Sequence, residues 1–371
     1  MALSSTIQST LLRHHHEIET ALHTAIANVA IRTGTQETDP FYGQIQYHLG
    51  WVDANLVPAK HNMGKLLRPT LVLLAYETAG AGGRAKTEQP GSAYLECALP
   101  AAVAVELTHN FTLVHDDIED GDIERRHRPT LWTIWGVPQA INTGDGIHSL
   151  ARIVLWGVLD HGVDGHTAIH LADLLDRASL TVMEGQYLDI NFEARLDISI
   201  PMYLDMIRRK TAALIACSTE MGACLGTANQ EIIHHLRNFG EASGVAFQIR
   251  DDLLGIWATS AESGKTPAGD IHRRKKSLPI IHALTHANDQ DRQILLEIYQ
   301  QSDPITFNQA EVVLEIMEHT QTQAFCRQFL LEQCQQAYEV LKKVPYLTNP
   351  LSRRAYHDLE IIVRFIEEAA H

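Results

Sequence analysis

Two short aspartate-rich segments carry the side chains best suited to chemistry. The first, Asp116-Asp117-Ile118-Glu119-Asp120, follows the mostly apolar run 100–114, where carboxylates rarely lie without a partner. On a helix, Asp116 and Asp120 share one face, one turn apart. Like charges this close need a cation among them or a bound proton, and such oxygen ligands suit Mg²⁺ when phosphates complete its shell. Taken alone, the segment fits a solvated acidic helix end equally well.

A second pair, Asp251-Asp252, lies near the end of another apolar helical segment, 244–255. Two such pairs far apart in sequence predict two helices that present carboxylates across one cavity, as metal sites in helical bundles do. His109 lies two turns before Asp116 and only about 20° from it around a helix, so it can face the same cavity.

Candidate cations lie before, between and after the acidic segments. Lys65 and Arg68 stand three apart at a predicted helix start, where free N–H groups favour an anion. The others are Arg125, Arg126, Lys210, Lys265 and the run 273–276, which includes Lys275. Each one singly fits a solvated surface position. Together with carboxylates that hold Mg²⁺, lysines and arginines in one helical cavity describe a diphosphate site.

The composition excludes some classes of partner and compartment. The chain has 371 residues and a formal net charge of -15 at pH 7, which argues against nucleic acid because that ligand needs a basic surface. No apolar run is long enough for a membrane span, and no signal-peptide pattern occurs. Five widely spaced cysteines lack metal-ligand spacing. We therefore predict a soluble, cytoplasmic protein with reduced thiols.

Helical periodicity dominates the chain, and we predict an all-α fold in a single domain, 1–371. A helix over 4–33 is followed by an irregular segment, 34–60, and a helix over 66–78. The glycine-rich stretch 79–92 is predicted as a loop rather than a domain boundary. Further helices are predicted at 93–119, 138–160, 166–194, 200–226, 230–257, 276–286, 289–301, 308–318, 321–343 and 350–369. No alternating strand pattern longer than a few residues occurs.

The motifs resemble those of the trans-isoprenyl diphosphate synthase (polyprenyl synthetase) family over roughly residues 60–290. Six blocks carry the resemblance, in the family's order and near its spacings: Gly-Lys-Leu-Leu-Arg-Pro at 64–69, His109 to Asp120 with Arg125-Arg126, Gly-Gln-Tyr-Leu-Asp at 185–189, Lys-Thr-Ala-Ala-Leu at 210–214, Phe-Gln-Ile-Arg-Asp-Asp at 247–252, and Gly264-Lys265 with Asp270 and Lys275. An isolated aspartate-rich motif would be weak evidence, whereas this ordered set is specific.

The resemblance implies a helical bundle of the isoprenoid synthase type and a homodimer that condenses isopentenyl diphosphate head-to-tail with an allylic diphosphate. It implies Mg²⁺, three ions per active site, held by Asp116, Asp117, Asp120, Asp251 and Asp252. It assigns the allylic diphosphate to Arg125, Lys210, Lys265 and Lys275, and isopentenyl diphosphate to Lys65, Arg68, His109 and Arg126. Thr211 and Gln248 would face the developing cation, and Gln186 and Asp189 would line the cavity.

Four positions depart from the family pattern. Met63 and Leu66 replace a glycine and an arginine in the first block, and His127 stands where a glycine is common. Gly255 replaces the last aspartate of the second acidic motif. Because Asp251, the expected direct metal ligand, is retained, we expect activity to survive.

The residues five and four positions before the first aspartate imply a product length. They are Phe111 and Thr112, a bulky and a small residue, which resembles archaeal-type geranylgeranyl diphosphate synthases. The resemblance favours a C20 product and leaves C15 and C25 open; Phe111 can also be simple core packing. Two other functions remain open, a class I terpene cyclase on the same fold and a non-catalytic partner subunit. The retained cations of the second diphosphate pocket argue against the first, and the retained aspartates argue against the second.

Overall fold

The computed structural model describes residues 5–81, 93–258 and 268–371. Within these ranges the chain is almost entirely helical, which confirms the all-α prediction. The helices are α1 (Ser5–Leu12), α2 (His15–Thr33), α3 (Asp39–His48), α4 (Leu67–Thr78), α5 (Leu99–Glu119), α6 (Leu131–Trp135), α7 (Val137–Leu155), α8 (Gly165–Glu193), α9 (Ile200–Ile207), α10 (Ala213–Gly226), α11 (Gln230–Trp257), α12 (Gly269–His272), α13 (Leu278–His286), α14 (Asp289–Gln300), α15 (Phe307–His319), α16 (Thr322–Leu341) and α17 (Pro350–Glu367).

Shorter elements connect these helices. A π-helical segment, Arg208–Ala212, joins α9 to α10, and 3₁₀ turns lie at Ala93–Leu95, Trp156–His161 and Glu368–Ala370. A two-residue hairpin pairs β1 (Glu124–Arg125) with β2 (Arg128–Pro129). The hairpin follows the first acidic motif, and Arg125 of β1 bonds to Asp117 of α5.

Four sequence predictions about the elements were wrong. The predicted helix 93–119 begins only at Leu99, after the 3₁₀ turn Ala93–Leu95. The predicted helix 4–33 is two helices, because the chain turns at Arg13 and His14. The segment 34–60 contains α3, whose first turn accommodates Pro40 since proline lacks only an N–H that has no partner there. The 200–226 helix is interrupted by the π-helical segment. Apolar periodicity does not register breaks of this kind, because the buried face continues through them.

The centre of the bundle is formed by helices that are buried on nearly all sides. Helices α4 and α10 have buried residues around most of their circumference, as expected for helices without a polar face. They cross closely: a Cβ atom at Gly222 of α10 would lie 2.1 Å from the carbonyl oxygen of Val72 in α4. Helix α5 packs against α4 and α7, and α11 packs against α10 and α16. This frame holds α5 and α11, the carriers of the two acidic motifs.

The buried apolar residues form two clusters. The larger runs through the central helices, and the smaller joins the end of α11 to α12–α15 through residues such as Ile256, Ile271 and Val313. All five cysteines are buried thiols outside any disulfide. No helix among the described residues combines the length and apolar character needed to cross a membrane.

Candidate active site

A cavity of about 790 Å³ opens between α4, α5, α8, the π-helical segment and α11. It brings together twelve of the predicted site residues, from segments far apart in the chain. These are Lys65, Arg68, His109, Phe111, Thr112, Asp116, Arg126, Gln186, Lys210, Thr211, Gln248 and Asp251. The predicted meeting of the two acidic motifs across one cavity therefore occurs for the first aspartate of each motif.

Asp116 lies on the cavity wall in a setting that disfavours its charged form. Burial raises the pKa of Asp116 to about 7, with Asp120 and Glu119 adding to the rise and Lys210 opposing it. Burial also raises the pKa of Asp120, which caps the end of α5. A carboxylate in this setting gains stability when a cation approaches.

The second aspartate of each motif is held by protein groups on the other side of its helix. Asp117 is buried and accepts a hydrogen bond from Arg125 Nε at 2.6 Å. Asp252 is buried and accepts from the Tyr203 hydroxyl and from the backbone N–H of Leu278 at 3.0 Å. These bonds fix α5 to the hairpin and α11 to α9 and α13. The prediction that both aspartates bind metal is untested.

Two further predicted residues, Asp189 and Lys275, pair with charged residues of the site. Lys210 Nζ donates to Asp189 Oδ2 at 2.5 Å. Lys275 Nζ lies 3.9 Å from Asp252 Oδ1, on the α11 side. Lys265 falls outside the described residues, so its predicted contact is untested.

The π-helical segment positions Lys210 and Thr211. Its wider turn brings the chain against α8, where a Cβ atom at Gly185 would lie 2.2 Å from the backbone nitrogen of Lys210. Thr211 Oγ1 donates to Gln248 Oε1 at 2.7 Å, across to α11. Burial lowers the pKa of Lys210, but Asp189 and Asp116 outweigh it and the net shift is upward. The ammonium stays charged, and the local π geometry is of a kind often found at functional sites.

A basic subsite lies at the opposite side, where α4 begins. Arg68 Nη1 lies 3.0 Å from His109 Nε2. Burial, and after it Arg68 and Arg126, lowers the pKa of His109 well below its usual value, so a neutral ring accepts this bond. Arg68 Nε and Arg126 Nη1 are buried without a hydrogen-bond partner among the described residues. Buried donors of this kind normally have partners, and an anion would provide them.

Gly64 allows this subsite to form. It has a φ of +95°, and a Cβ atom there would lie 2.7 Å from Arg126 Nη2. Only glycine combines such a backbone angle with so close an approach. Arg126 itself has a φ of +54°, which turns its guanidinium from the hairpin toward α4.

Several residues of the cavity wall were not predicted from the sequence. Glu106 is buried between the basic residues and accepts from Asn110 Nδ2 at 2.8 Å. Its acidic type inside the apolar run 100–114 was a signal that could have found it. His148 of α7 lies edge-on to Phe111, with ring centroids 4.6 Å apart; nothing in its local sequence marked it. Glu119, which accepts from Gln186 Nε2 at 2.7 Å, lies within the first motif.

The donor set fits a hard divalent cation bound together with a ligand. Asp116, Asp120 and Asp251 offer carboxylate oxygens from opposite sides. In the described part of the chain, no three acidic, histidine or cysteine side chains are grouped closely enough to hold a metal ion by themselves. Mg²⁺ commonly takes one or two carboxylates and completes its shell with phosphate oxygens and water, which this arrangement allows.

Comparisons with known proteins agree with this geometry. The model of the family described as "Polyprenyl synthetase" matches residues 51–318. The chain belongs to the polyprenyl synthetase family. It is 40% identical over 276 residues to the (2E,6E)-farnesyl diphosphate synthase of Mycobacterium tuberculosis, which covers 74% of this chain and 72% of that one. It is 37% identical over 273 residues to the geranylgeranyl diphosphate synthase of the same organism, covering 74% and 73%.

A solved structure shares the fold of this polyprenyl synthetase family member. The polyprenyl synthetase of Streptomyces coelicolor A3(2) superposes with a TM-score of 0.81 at 33% identity, covering 96% of this chain and 99% of that one. These findings confirm the resemblance found in the motifs, the isoprenoid synthase type of helical bundle and the prediction of a prenyl-transferring enzyme.

Proposed function

We propose that the protein condenses isopentenyl diphosphate head-to-tail with an allylic diphosphate and releases pyrophosphate. In this reaction the C1–O bond of the allylic substrate breaks, the double bond of isopentenyl diphosphate attacks the resulting cation, and a proton is lost. The observation that carries the proposal is the presence of two anion-binding sides on one cavity: the aspartates with Lys210, and Arg68 with Arg126, each of which has a buried donor atom without a partner among the described residues.

The allylic diphosphate is assigned to the side formed by α5, α8 and α11. Lys210 stays charged there and reaches the leaving group, while Asp189 orients its ammonium. When bound by Asp116, Asp120 and Asp251 together with diphosphate oxygens, Mg²⁺ would neutralise the charge that develops on the leaving pyrophosphate. The family suggests three ions. Lys265 and Lys275 are proposed to complete the cationic side.

Isopentenyl diphosphate is assigned to the basic subsite at the start of α4. Arg68 and Arg126 each have a buried donor atom with no protein partner in the described ranges, and Lys65 lines the same wall. His109 holds the Arg68 guanidinium through its hydrogen bond, and Glu106 interacts electrostatically with both guanidinium groups, so they are positioned before the substrate arrives. The fixed geometry supplies orientation, which is a large share of catalysis for a two-substrate reaction.

The cation formed between the two diphosphates needs a polar but non-nucleophilic surface. Thr211 donates its only proton to Gln248 Oε1, so the hydroxyl oxygen retains lone pairs toward the cavity. The Gln248 amide is fixed in turn by donating to Asp252 Oδ1 at 3.0 Å. We propose that these oxygen dipoles stabilise the cation without capturing it.

Condensation of two diphosphate substrates fits the cavity better than a terpene cyclase or a non-catalytic subunit does. A terpene cyclase ionises one diphosphate and has no use for the second basic subsite formed by Arg68 and Arg126. A non-catalytic subunit needs neither the paired carboxylates nor the oriented Lys210, and their buried donors and acceptors would be costly to keep.

The proposed product is geranylgeranyl diphosphate, C20. Phe111 is buried, lines the cavity and lies edge-on to His148. Together these rings form a floor one turn and more below Asp116, on the path of a chain that grows away from the diphosphate. Thr112 beside them is small, which leaves room for several isoprene units before the floor is reached.

The enzyme is proposed to act as a cytoplasmic homodimer. Helix α8 exposes Ile169, Leu180 and Tyr187, which lie within about 20° of one another around the helix. An exposed apolar stripe of this length is typical of an interface. A second copy of the same helix would cover it by two-fold symmetry.

Product analysis tests the proposed reaction. Purified protein is incubated with Mg²⁺, labelled isopentenyl diphosphate and, in separate reactions, dimethylallyl, geranyl or farnesyl diphosphate. We expect label in longer diphosphates that accumulate at C20. A hydrocarbon formed from the allylic substrate alone would support the cyclase, and no turnover with any substrate would support the non-catalytic subunit.

A further inference from the structure

Gly255 leaves the second acidic motif one carboxylate short. It lies four residues after Asp251 in α11, so it occupies the same helix face one turn later. In the family pattern this position holds the last aspartate of the motif. The α11 side of the cavity would therefore carry less negative charge than the α5 side unless another residue supplies it.

The carboxylate of Asp270 lies directly against Gly255. A Cβ atom built on Gly255 would be 2.3 Å from Asp270 Oδ2, 2.5 Å from its Cγ and 2.8 Å from its Oδ1. In any aspartate the carboxyl oxygens lie about 2.4 Å from their own Cβ by standard bond lengths and angles. Asp270 thus fills the volume that the carboxylate of an aspartate at position 255 would fill.

The turn that contains Asp270 also contains Lys275, the cation on the α11 side of the site. The backbone N–H of Lys275 donates to the carbonyl oxygen of Asp270 at 3.0 Å, which closes the turn after α12, and α12 packs against α11. Burial lowers the pKa of Lys275, but Asp252 and Asp270, followed by Asp189 and Asp251, outweigh it and raise the pKa overall. Asp270 therefore belongs to the same group of charges as Asp251 and Asp252.

We propose that Asp270 replaces the missing carboxylate of the second motif and, beside Asp251, strengthens the binding of Mg²⁺ on the α11 side. This inference rests on the proposed function. Asp270 acts as a positioning residue, whose charge supports the cation and its water shell from one turn beyond Asp251. The glycine at 255 is then a requirement of this arrangement rather than a loss, because any side chain there would displace the Asp270 carboxylate.

Mg²⁺ binding tests the proposal without relying on turnover. Isothermal titration with MgCl₂ in the presence of saturating inorganic pyrophosphate gives the affinity of the wild-type protein and its variants. We expect Asp270→Ala to weaken Mg²⁺ binding about tenfold or more, as losses of groups that support metal ligands do. Asp270→Asn keeps the shape and removes the charge, so it should weaken binding equally. Asp303→Asn, an exposed aspartate in a nearby loop, is the matched control and should leave the affinity unchanged.

A double-mutant cycle separates this role from a structural one. Gly255→Asp alone places two carboxylates in one volume and should weaken Mg²⁺ binding. Gly255→Asp with Asp270→Ala restores one carboxylate to that volume and should return the affinity to within about threefold of wild type, a strong non-additivity. Thermal unfolding without Mg²⁺ verifies that each variant is folded.

Three results would count against the inference or its basis. Folded Asp270→Asn with wild-type Mg²⁺ affinity would overturn the role of Asp270, as would a double variant that binds no better than the weaker single variant. Absence of Mg²⁺ binding by the wild-type protein with pyrophosphate would instead overturn the proposed function itself.

Discussion

The buried position of Asp116 destabilises the charged form of its carboxyl group unless a cation lies nearby. Its raised pKa of about 7 arises first from burial and then from the neighbouring Asp120. The rigid frame of α5 holds the Asp116 carboxylate in this unfavourable position, where a bound cation would stabilise its charge. Lys210 offsets part of the cost, which explains why these two side chains from different helices share one wall.

The titration of Asp116 predicts how stability without metal depends on pH. Its folded-state pKa lies above the ordinary value of 3.8, so the protonated group favours folding below about pH 4 and this contribution is lost as the pH rises through about 7. Asp116→Asn stays neutral throughout. The variant should therefore be more stable than wild type at pH 8, by up to about 4 kcal/mol, and similar at about pH 4. Chemical denaturation at both pH values measures this, and a difference that does not change with pH would contradict it.

Removing the charge of Asp116 should separate folding from chemistry. Asp116→Asn is expected to lower kcat at least about a thousandfold, because the leaving diphosphate loses part of its electrostatic stabilisation, while the circular dichroism spectrum keeps its helical form. Asp173→Asn, on the exposed face of α8 beside Arg177, is the matched control. Near-normal turnover of Asp116→Asn would remove Asp116 from the metal site.

The floor of the cavity predicts product length. Phe111→Ser removes the ring that meets His148 and should shift the product beyond C20 by one or more five-carbon units. Phe325→Ser removes a ring that stacks on His282 in a different part of the bundle, so it should leave product length unchanged. Mass spectrometry of the dephosphorylated products measures both. An unchanged product from Phe111→Ser would refute the assignment of Phe111 to the floor.

At the scale of elements, the close packing of α8 against the π-helical segment positions Lys210, which is assigned to the allylic diphosphate. Helix α8 lies so close to the π-helical segment that Gly185→Ala must move the backbone at Lys210. We expect this variant to be less stable by about 1–3 kcal/mol and to lose most of its activity. Gly165→Ala lies at the start of the same helix with no heavy atom within 4 Å of its Cβ position, so it should be as active as wild type. Equal activity of the two variants would show that this crossing does not position Lys210.

Periodicity predicted most helices within a few residues but not the local irregularities. The limits of α11 match the predicted 230–257, because a capping Asn229 and a continuous apolar face define both ends. The π-helical segment around Lys210 was missed, since its extra residue per turn leaves the apolar pattern intact. Such a bulge is set by packing against Gly185 from another helix, which only the tertiary structure reveals.

The site residues were predicted better than their orientations. Residue type and order identified Asp116 and Asp251 as facing groups, and both line the cavity. The same motifs could not show that Asp117 and Asp252 also accept hydrogen bonds from Arg125 and Tyr203, because those partners come from distant or turned segments. Likewise, Asp270 lies in a family block but its contact with Gly255 depends on how α12 folds back on α11.

At the scale of the whole molecule, the exposed stripe on α8 predicts the assembly. Ile169→Glu with Leu180→Glu places two charges in the proposed interface and should convert the dimer to monomers, because unpaired charges are costly in a buried interface. Phe307→Glu changes an equally exposed apolar residue on α15 and should leave the dimer intact. Light scattering after size-exclusion chromatography measures the mass, and a dimer that survives the double substitution would place the interface elsewhere.

The central claim is that one cavity binds two diphosphates in separate subsites. Parallel measurement of KM for each substrate in Arg126→Gln and Lys210→Gln tests it most directly. We predict that Arg126→Gln raises KM for isopentenyl diphosphate at least about tenfold, the value of one charged hydrogen bond, with little change in KM for the allylic substrate. Lys210→Gln should raise KM for the allylic substrate, with little change in KM for isopentenyl diphosphate. Equal effects of each variant on both substrates would contradict the two-subsite cavity.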